Sequence, residues 1–159
     1  MRITIAAVGK IKESYLEAAI AEYSKRLSRY CKLEILQAAD EKTPDGASEA
    51  LEPQIRQREG ERLLSLIRDD AYVIALAIEG KPLDSVELSE RLGRLAAGGR
   101  SHLVFVIGGS LGLSEAVMHR ADEAWSFSRL TFPHQLMRVI LLEQIYRGYR
   151  ILNHQPYHK

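Results

Sequence analysis

The chain has one cysteine in 159 residues, Cys31, so no disulfide can form within it, and the thiol reads as a small, partly buried side chain. No apolar run is long enough to cross a bilayer. The opening "MRITIAAVGKIK" holds a basic residue and a short apolar stretch, but Lys10 and Lys12 interrupt it before a signal-peptide core or a membrane span is complete. A cytoplasmic protein with no membrane partner is expected. Internal repeats and low-complexity tracts are missing, and so are two phosphate-binding signatures. No Gly-Lys-Ser/Thr follows a glycine-rich turn, which excludes a Walker P-loop, and no G-x-G-x-x-G occurs, which excludes the dinucleotide fingerprint.

The composition is that of a globular chain, with 46% hydrophobic and 27% charged residues. At this length one domain, residues 1 to 159, buries roughly 70% of its unfolded surface. The net charge of +1 hides an asymmetry. From Phe127 onward, Arg129, Arg138, Arg147, Arg150 and Lys159 stand against Glu143 alone; this end carries +4 and the rest of the chain −3. Such clustering is either an electrostatic footprint for phosphate or a solvated helix face.

Strand and helix signals alternate. "RITIAAV", "LEILQA", "YVIALAI", "LVFVI" and "AWSFS" are short β-favouring runs, and helical spacing fills most of what lies between them. Tyr15, Leu16, Ala19, Ile20, Tyr23, Leu27 and Tyr30 recur at intervals of three and four, predicting a helix between the first two strands. Asp84 and Glu87 form a capping box for another helix, which Gly98 and Gly99 end. Near-continuous apolar strands such as "VIALAI" predict burial on both faces: an α/β fold, mostly parallel, with helices on either side. "ADEKTPDGASEALEP" reads as a surface loop leading into a charged helix around Ile55 to Ile67.

The stretch "LVFVIGGSLGLSEA" fits G-x-S-x-G, and Asp122 and His134 follow in the order a serine hydrolase needs. However, its helix signal starts at Ser114, four residues past Ser110, so Ser110 falls inside a loop and away from a nucleophile elbow. What is left is a flexible glycine loop at the C-terminal end of a buried strand, where open α/β sheets place their ligands. Glycines there let a ligand approach the backbone. A second loop runs through Ser126, Ser128 and Thr131 to Pro133, which suits a first helical turn, and then into a long helix.

"VIGGSLG", "SFSRLTFPHQLMRVILLEQIYR" and the terminal "NHQPYHK" together closely resemble the RlmH family of SPOUT methyltransferases, which modify pseudouridine in large-subunit ribosomal RNA. The likeness covers nearly the whole chain. It implies a C-terminal trefoil knot, against the general rule that folds are unknotted. It also implies S-adenosylmethionine held in a bent shape by the knot loops, at Leu76, Gly108, Phe127, Ser128, Arg129, Leu130, Thr131 and Phe132. Methylation of pseudouridine at ring nitrogen 3, on the assembled ribosome or its large subunit, is the implied activity.

Leu136, Met137, Val139, Ile140, Leu141, Leu142, Ile145 and Tyr146 point nearly all around the long helix, which suggests burial on two sides. The helix is either a fully buried core element or, as the family implies, close to a homodimer interface where one subunit's tail completes the other's site. A sulfonium methyl is already electrophilic, so no metal is expected and positioning supplies much of the rate. Candidates for RNA phosphate and for orienting the base are Arg138, Arg147, Arg150, His154, Tyr157 and His158. Of these Arg150, Tyr157 and His158 are favoured, because "QPYHK" matches the family, while Arg147 can simply pair with Glu143. The general base is unassigned. A catalytically silent RNA- or ribosome-binding module is the second reading, and a hydrolase using Ser110 the third.

Overall fold

Both faces of the central strands are apolar, and both are covered. In the computed structural model, which describes every residue except Thr43, Asp45 and Ala47, ten elements follow in order: β1 (Arg2–Val8), α1 (Ser14–Leu27), β2 (Lys32–Ala38), α2 (Glu52–Ser65), β3 (Tyr72–Pro82), α3 (Ser85–Ala97), β4 (His102–Ile107), α4 (Glu115–Arg120), β5 (Glu123–Ser126) and α5 (His134–Leu152). The loop expected over 39–53 includes three positions outside the described residues. All strand pairs are parallel, in the order β2-β1-β4-β3-β5.

Alternation along each strand divides the core in two. Ile3, Ile5, Leu103, Phe105 and Ile74 pack under α1, α3 and α5, whereas Ala6, Val8, Val104, Val106 and Val73 pack over α2 and α4. Steps toward β2 use α1 and α3 on one face, and steps toward β5 use α2 and α4 on the other, so all four crossovers share one hand. Because all pairs are parallel, every strand ends on the same edge of the sheet, and the loops that follow the strands gather there.

Two helices start as their sequences dictate. Asp84 accepts from the Glu87 amide and Glu87 from the Asp84 amide, both at 2.8 Å, closing the capping box. Ser114 caps α4, its hydroxyl accepting from Val117 N at 3.3 Å. Pro133 lies one position earlier than expected, at the N-cap of α5 instead of in its first turn.

α5 crosses the sheet between α1 and α3 with Leu141, Leu142 and Ile145 fully buried. Val139 and Ile140 are only half-buried, and Leu136 is exposed, so an apolar outer stripe stays uncovered within one chain. The expected "AWSFS" strand stops at Ser126, while β3 runs past "YVIALAI" to Pro82. β3 bulges on the way: Leu76 pairs with Trp125, and after four residues out of register Lys81 pairs with Trp125 again.

Gly80 marks the crossing. A β-carbon there would lie 2.7 Å from Ala124 C and 2.8 Å from Trp125 C, so the bulge folds directly onto the β5 backbone and only glycine fits. Gly80→Ala should destabilise the protein by about 1 to 3 kcal/mol, the usual range for overpacking. Urea denaturation checks this, and an unchanged midpoint would show that the crossing is loose.

Candidate active site

Three neighbouring strands, β4, β3 and β5, end in the loops that sequence reading singled out. Leu76, half-buried, is the last residue of β3 in regular register before the bulge. Gly108 follows β4, and the turn after it closes on itself through Gly112 N donating to Gly109 O at 3.1 Å. A β-carbon on Gly108 would stand 2.7 Å from the carbonyl carbon and oxygen of Gly112. This corrects the sequence argument for that glycine, since the loop's own backbone, before any ligand, leaves no room for a side chain.

The third loop, 127–132, follows β5. Phe127 packs back on the core, Ser128 accepts from Leu130 N at 2.9 Å through its hydroxyl, and Ser126 donates to Ser128 O at 3.2 Å. Among the described residues nothing accepts a bond from the amides of Arg129, Thr131 or Phe132, and Leu130 is 70% exposed at the tip. Free amides beside an uncovered apolar side chain suit a ligand that is part aromatic and part polar.

The hydrolase arrangement does not assemble. Ser110 is exposed in the turn, and Asp122 spends its carboxylate on Val73 N at 2.8 Å and on Arg120 at 3.5 Å. His134 lies at the start of α5, its Cε1 3.4 Å from where a β-carbon on Gly9 would stand.

Beside it is Arg138, expected to meet RNA phosphate. That reading is corrected by burial: Arg138 is 1% exposed and donates through one nitrogen to Val8 O at 2.8 Å and Gly9 O at 2.7 Å, bracing α5 against the end of β1. No carboxylate pairs with it among the described residues, and burial lowers its affinity for its proton. Burial, and then the Arg138 charge, push the His134 imidazole below its ordinary value, which keeps that ring neutral.

The tail does assemble. Arg150 donates to Tyr30 OH and Gln155 Oε1, each at 3.2 Å, and to Pro156 O at 2.9 Å; Tyr30 also bonds Gln155 and stacks on Tyr149. Arg150 thus clamps the tail onto α1, whereas its sequence role was to position substrate. So held, Tyr157 turns back along α5 and donates to Glu143 Oε1 at 3.1 Å, beneath the Arg147 guanidinium at 4.6 Å. Burial, then the Glu143 bond, push the Tyr157 hydroxyl up to about 12, so it stays a donor. Arg147 also donates to Glu143 at 2.5 Å and meets His158 Nδ1 at 3.2 Å. With Nδ1 accepting that bond, a neutral His158 carries its proton on Nε2 and offers it outward. Glu143 has its oxygens filled by Arg147, Tyr157 and Gln144, which makes it a positioning group and a poor base.

Sequence reasoning took Glu143 with Arg147 as an ordinary ion pair; the spacing gave the pair but not the tail that returns to it. Tyr30, read in the sequence as the last apolar position of the first helix, lies in the turn after α1, and only the fold brings it to the tail. Glu59 went unnoticed because α2 is charged along its length. It is 5% exposed, accepts from Glu41 N at 3.1 Å, leaves its other oxygen without a partner, and lies 3.0 Å from the β-carbon position of Gly109.

A family model described as a SPOUT methyltransferase matches residues 1–158. The ribosomal RNA large subunit methyltransferases H of Bifidobacterium adolescentis and Clostridium tetani are 62% and 58% identical to this chain, each over all 159 residues and the full length of the relative. A solved structure of a probable methylase family protein from Haemophilus influenzae shares the fold at a TM-score of 0.57 and 11% identity, covering 99% of this chain and 70% of that one. The chain belongs to the SPOUT methyltransferases and, within them, to the RlmH family. Membership carries the C-terminal knot of that fold.

Burial raises the Glu59 pKa above its ordinary value, so the folded state holds that proton to higher pH than the unfolded chain does. Stability then falls as pH climbs through the carboxylate range. Glu59→Gln should remove this loss, and the variant should be more stable than the wild type at neutral pH, with the gain shrinking toward acid. Thermal melts from about pH 4 to pH 8 check the sign; parallel curves for the two proteins would contradict it.

Proposed function

We propose that this protein transfers a methyl group from S-adenosylmethionine to ring nitrogen 3 of a pseudouridine in large-subunit ribosomal RNA, working in the cytoplasm on the assembled ribosome or its large subunit. The observation that carries the reading is the gathering of Leu76, Gly108 and 127–132 at three adjacent strand ends, with free amides and an uncovered Leu130 between them. The names of the full-length relatives support the ribosomal substrate. The cofactor, when bound there, supplies a methyl group on a sulfonium. Transfer of that methyl to the imide nitrogen would leave a neutral thioether and release the imide proton, so this chain's residues would have to hold the methyl carbon and the nitrogen in line.

This chain's residues hold and exclude. The amides of Arg129, Thr131 and Phe132 and the carbonyls around them would read the adenine edge, with Leu76 and Phe127 as apolar walls. Tyr157, His158 and Arg147 would orient the base and its phosphate: a π face, an Nε2–H donor and a fixed cation.

In one chain the tail sits on the α1 side of α5, above β1 and β2, while the loops after β3 and β5 lie toward the opposite edge of the sheet. The two halves would therefore meet between two copies, with the apolar outer stripe of α5 at the contact. We infer a homodimer, each subunit a single domain over 1–159, whose sites combine the loops of one chain with the tail of the other.

Deleting residues 153–159 should leave S-adenosylmethionine affinity within about twofold by calorimetry. Methyl transfer to undermethylated ribosomes should fall at least tenfold, and Tyr157→Ala alone should show roughly the tenfold to hundredfold loss of a stacking contact. Full transfer by the truncated protein would sink the assignment. Sedimentation should give a dimer at micromolar concentration; a fully active monomer would exclude the shared site.

A further inference from the structure

A groove at the β2 edge of the sheet shares no lining residue with the loops after β3, β4 and β5. Between the C-terminal end of α1 and the edge strand β2 lies this open depression of about 870 Å³, with Met1, Leu33 and Ile35 on its floor and Tyr30, Arg29 and Lys32 at its rim. Among the described residues no carboxylate lines it. Around Tyr30 it continues into a second depression lined by Lys25, Arg26 and Tyr146, where the one acid, Glu22, is paired with Arg26 at 3.7 Å. Tyr146 touches Tyr157 edge-on at 4.9 Å, so the path runs from the tail to the sheet edge without a break.

Lys25, Arg29 and Lys32 are exposed, and among the described residues their side chains make no ion pair or hydrogen bond. Lys25, in the last turn of α1, complements the helix dipole, whereas Arg29 and Lys32 lie beyond the helix and carry charge that no acid among the described residues offsets. Tyr30 has one ring face on Tyr149, at 5.4 Å and 6°, and lines both depressions with the rest of its ring. An apolar floor, an aromatic wall and a cationic rim whose one acid, Glu22, is already paired match single-stranded nucleic acid: bases go to the ring and floor, phosphates to the rim.

We propose that this groove is a second RNA-binding site, which holds the single-stranded RNA flanking the target nucleotide while the tail holds the nucleotide itself. The proposal rests on the methyltransferase reading for its RNA and adds the path the RNA takes. Lys25, Arg29 and Lys32 each engage one phosphate, and Tyr30 stacks on a base beside the target. The groove supplies affinity for the ribosome and leaves the reacting atoms untouched.

The test uses the full-length protein with Lys25→Ala, Arg29→Ala and Lys32→Ala, singly and combined, and Arg58→Ala with Arg94→Ala as controls for charge alone. Measured are methyl transfer to undermethylated ribosomes across a salt series, anisotropy of a labelled single-stranded RNA oligonucleotide, S-adenosylmethionine affinity, and sedimentation. The triple variant should raise the ribosome KM at least tenfold with kcat within about twofold, and weaken the oligonucleotide likewise. Its slope of log affinity against log salt should fall by about 0.7 for each phosphate lost. Cofactor affinity and sedimentation should not change, and the controls should match the wild type. Unchanged KM and slope would overturn the proposal, and so would a KM effect that comes with loss of the dimer, because the face would then be a subunit contact. If the wild type transfers no methyl group at all, the methyltransferase reading fails, and the oligonucleotide arm still decides the groove.

Discussion

The burial of α5 between α1 and α3 is the contact on which the remaining architecture depends. Leu141, Leu142 and Ile145 close the larger core, and each is a side chain whose burial contributes about 1.5 to 3 kcal/mol. The same helix begins beside the end of β1, held by Arg138 on two strand carbonyls, and ends near the start of β2, where Arg150 pins the tail. One rigid rod of 19 residues, roughly 28 Å long, thus fixes both the exit of the loop after β5 and the return of the tail. Whatever shifts α5 moves both halves of the site.

A parallel sheet imposes the rest. Strands buried on both faces need helices on both faces, and parallel strands bring every strand end to one edge. The loops after β3, β4 and β5 are neighbours for that reason alone. The tail, leaving the far end of α5, folds onto α1 and not toward those loops, so the separation of the two halves within a chain is a consequence of topology. An apolar outer stripe on α5 and an exposed Leu130 are the surfaces this topology leaves uncovered.

Much of this was legible in the residues. Continuous apolar runs announced the two-faced sheet, and the Asp84 capping box and the glycine loop announced their turns. The Ser114 signal placed Ser110 inside a loop and so disposed of the nucleophile elbow. What the residues could not announce were contacts made across long stretches of chain. Arg138 in a basic C-terminal segment looked like a phosphate ligand, and only the packing of α5 on β1 shows it enclosed. Gly80 carries no local turn signal; its necessity comes from β5, more than forty residues on. Glu143 with Arg147 is visible as a helical pair, but the tail that makes it part of a site returns through Tyr30, which belongs to another helix end. The knot rests on the family, since no periodicity encodes threading.

The central claim is that cofactor loops and tail act together from different chains. Mixing two full-site defects tests it most directly: protein lacking 153–159 is combined with the Gly108→Val variant under conditions where subunits exchange, and methyl transfer to undermethylated ribosomes is measured. In a two-fold dimer a heterodimer of these chains has one intact pair of loop and tail, so the mixture should recover about a quarter of wild-type transfer from two inactive parents. Exchange without recovery would place loop and tail of a single chain in the same site and contradict the account.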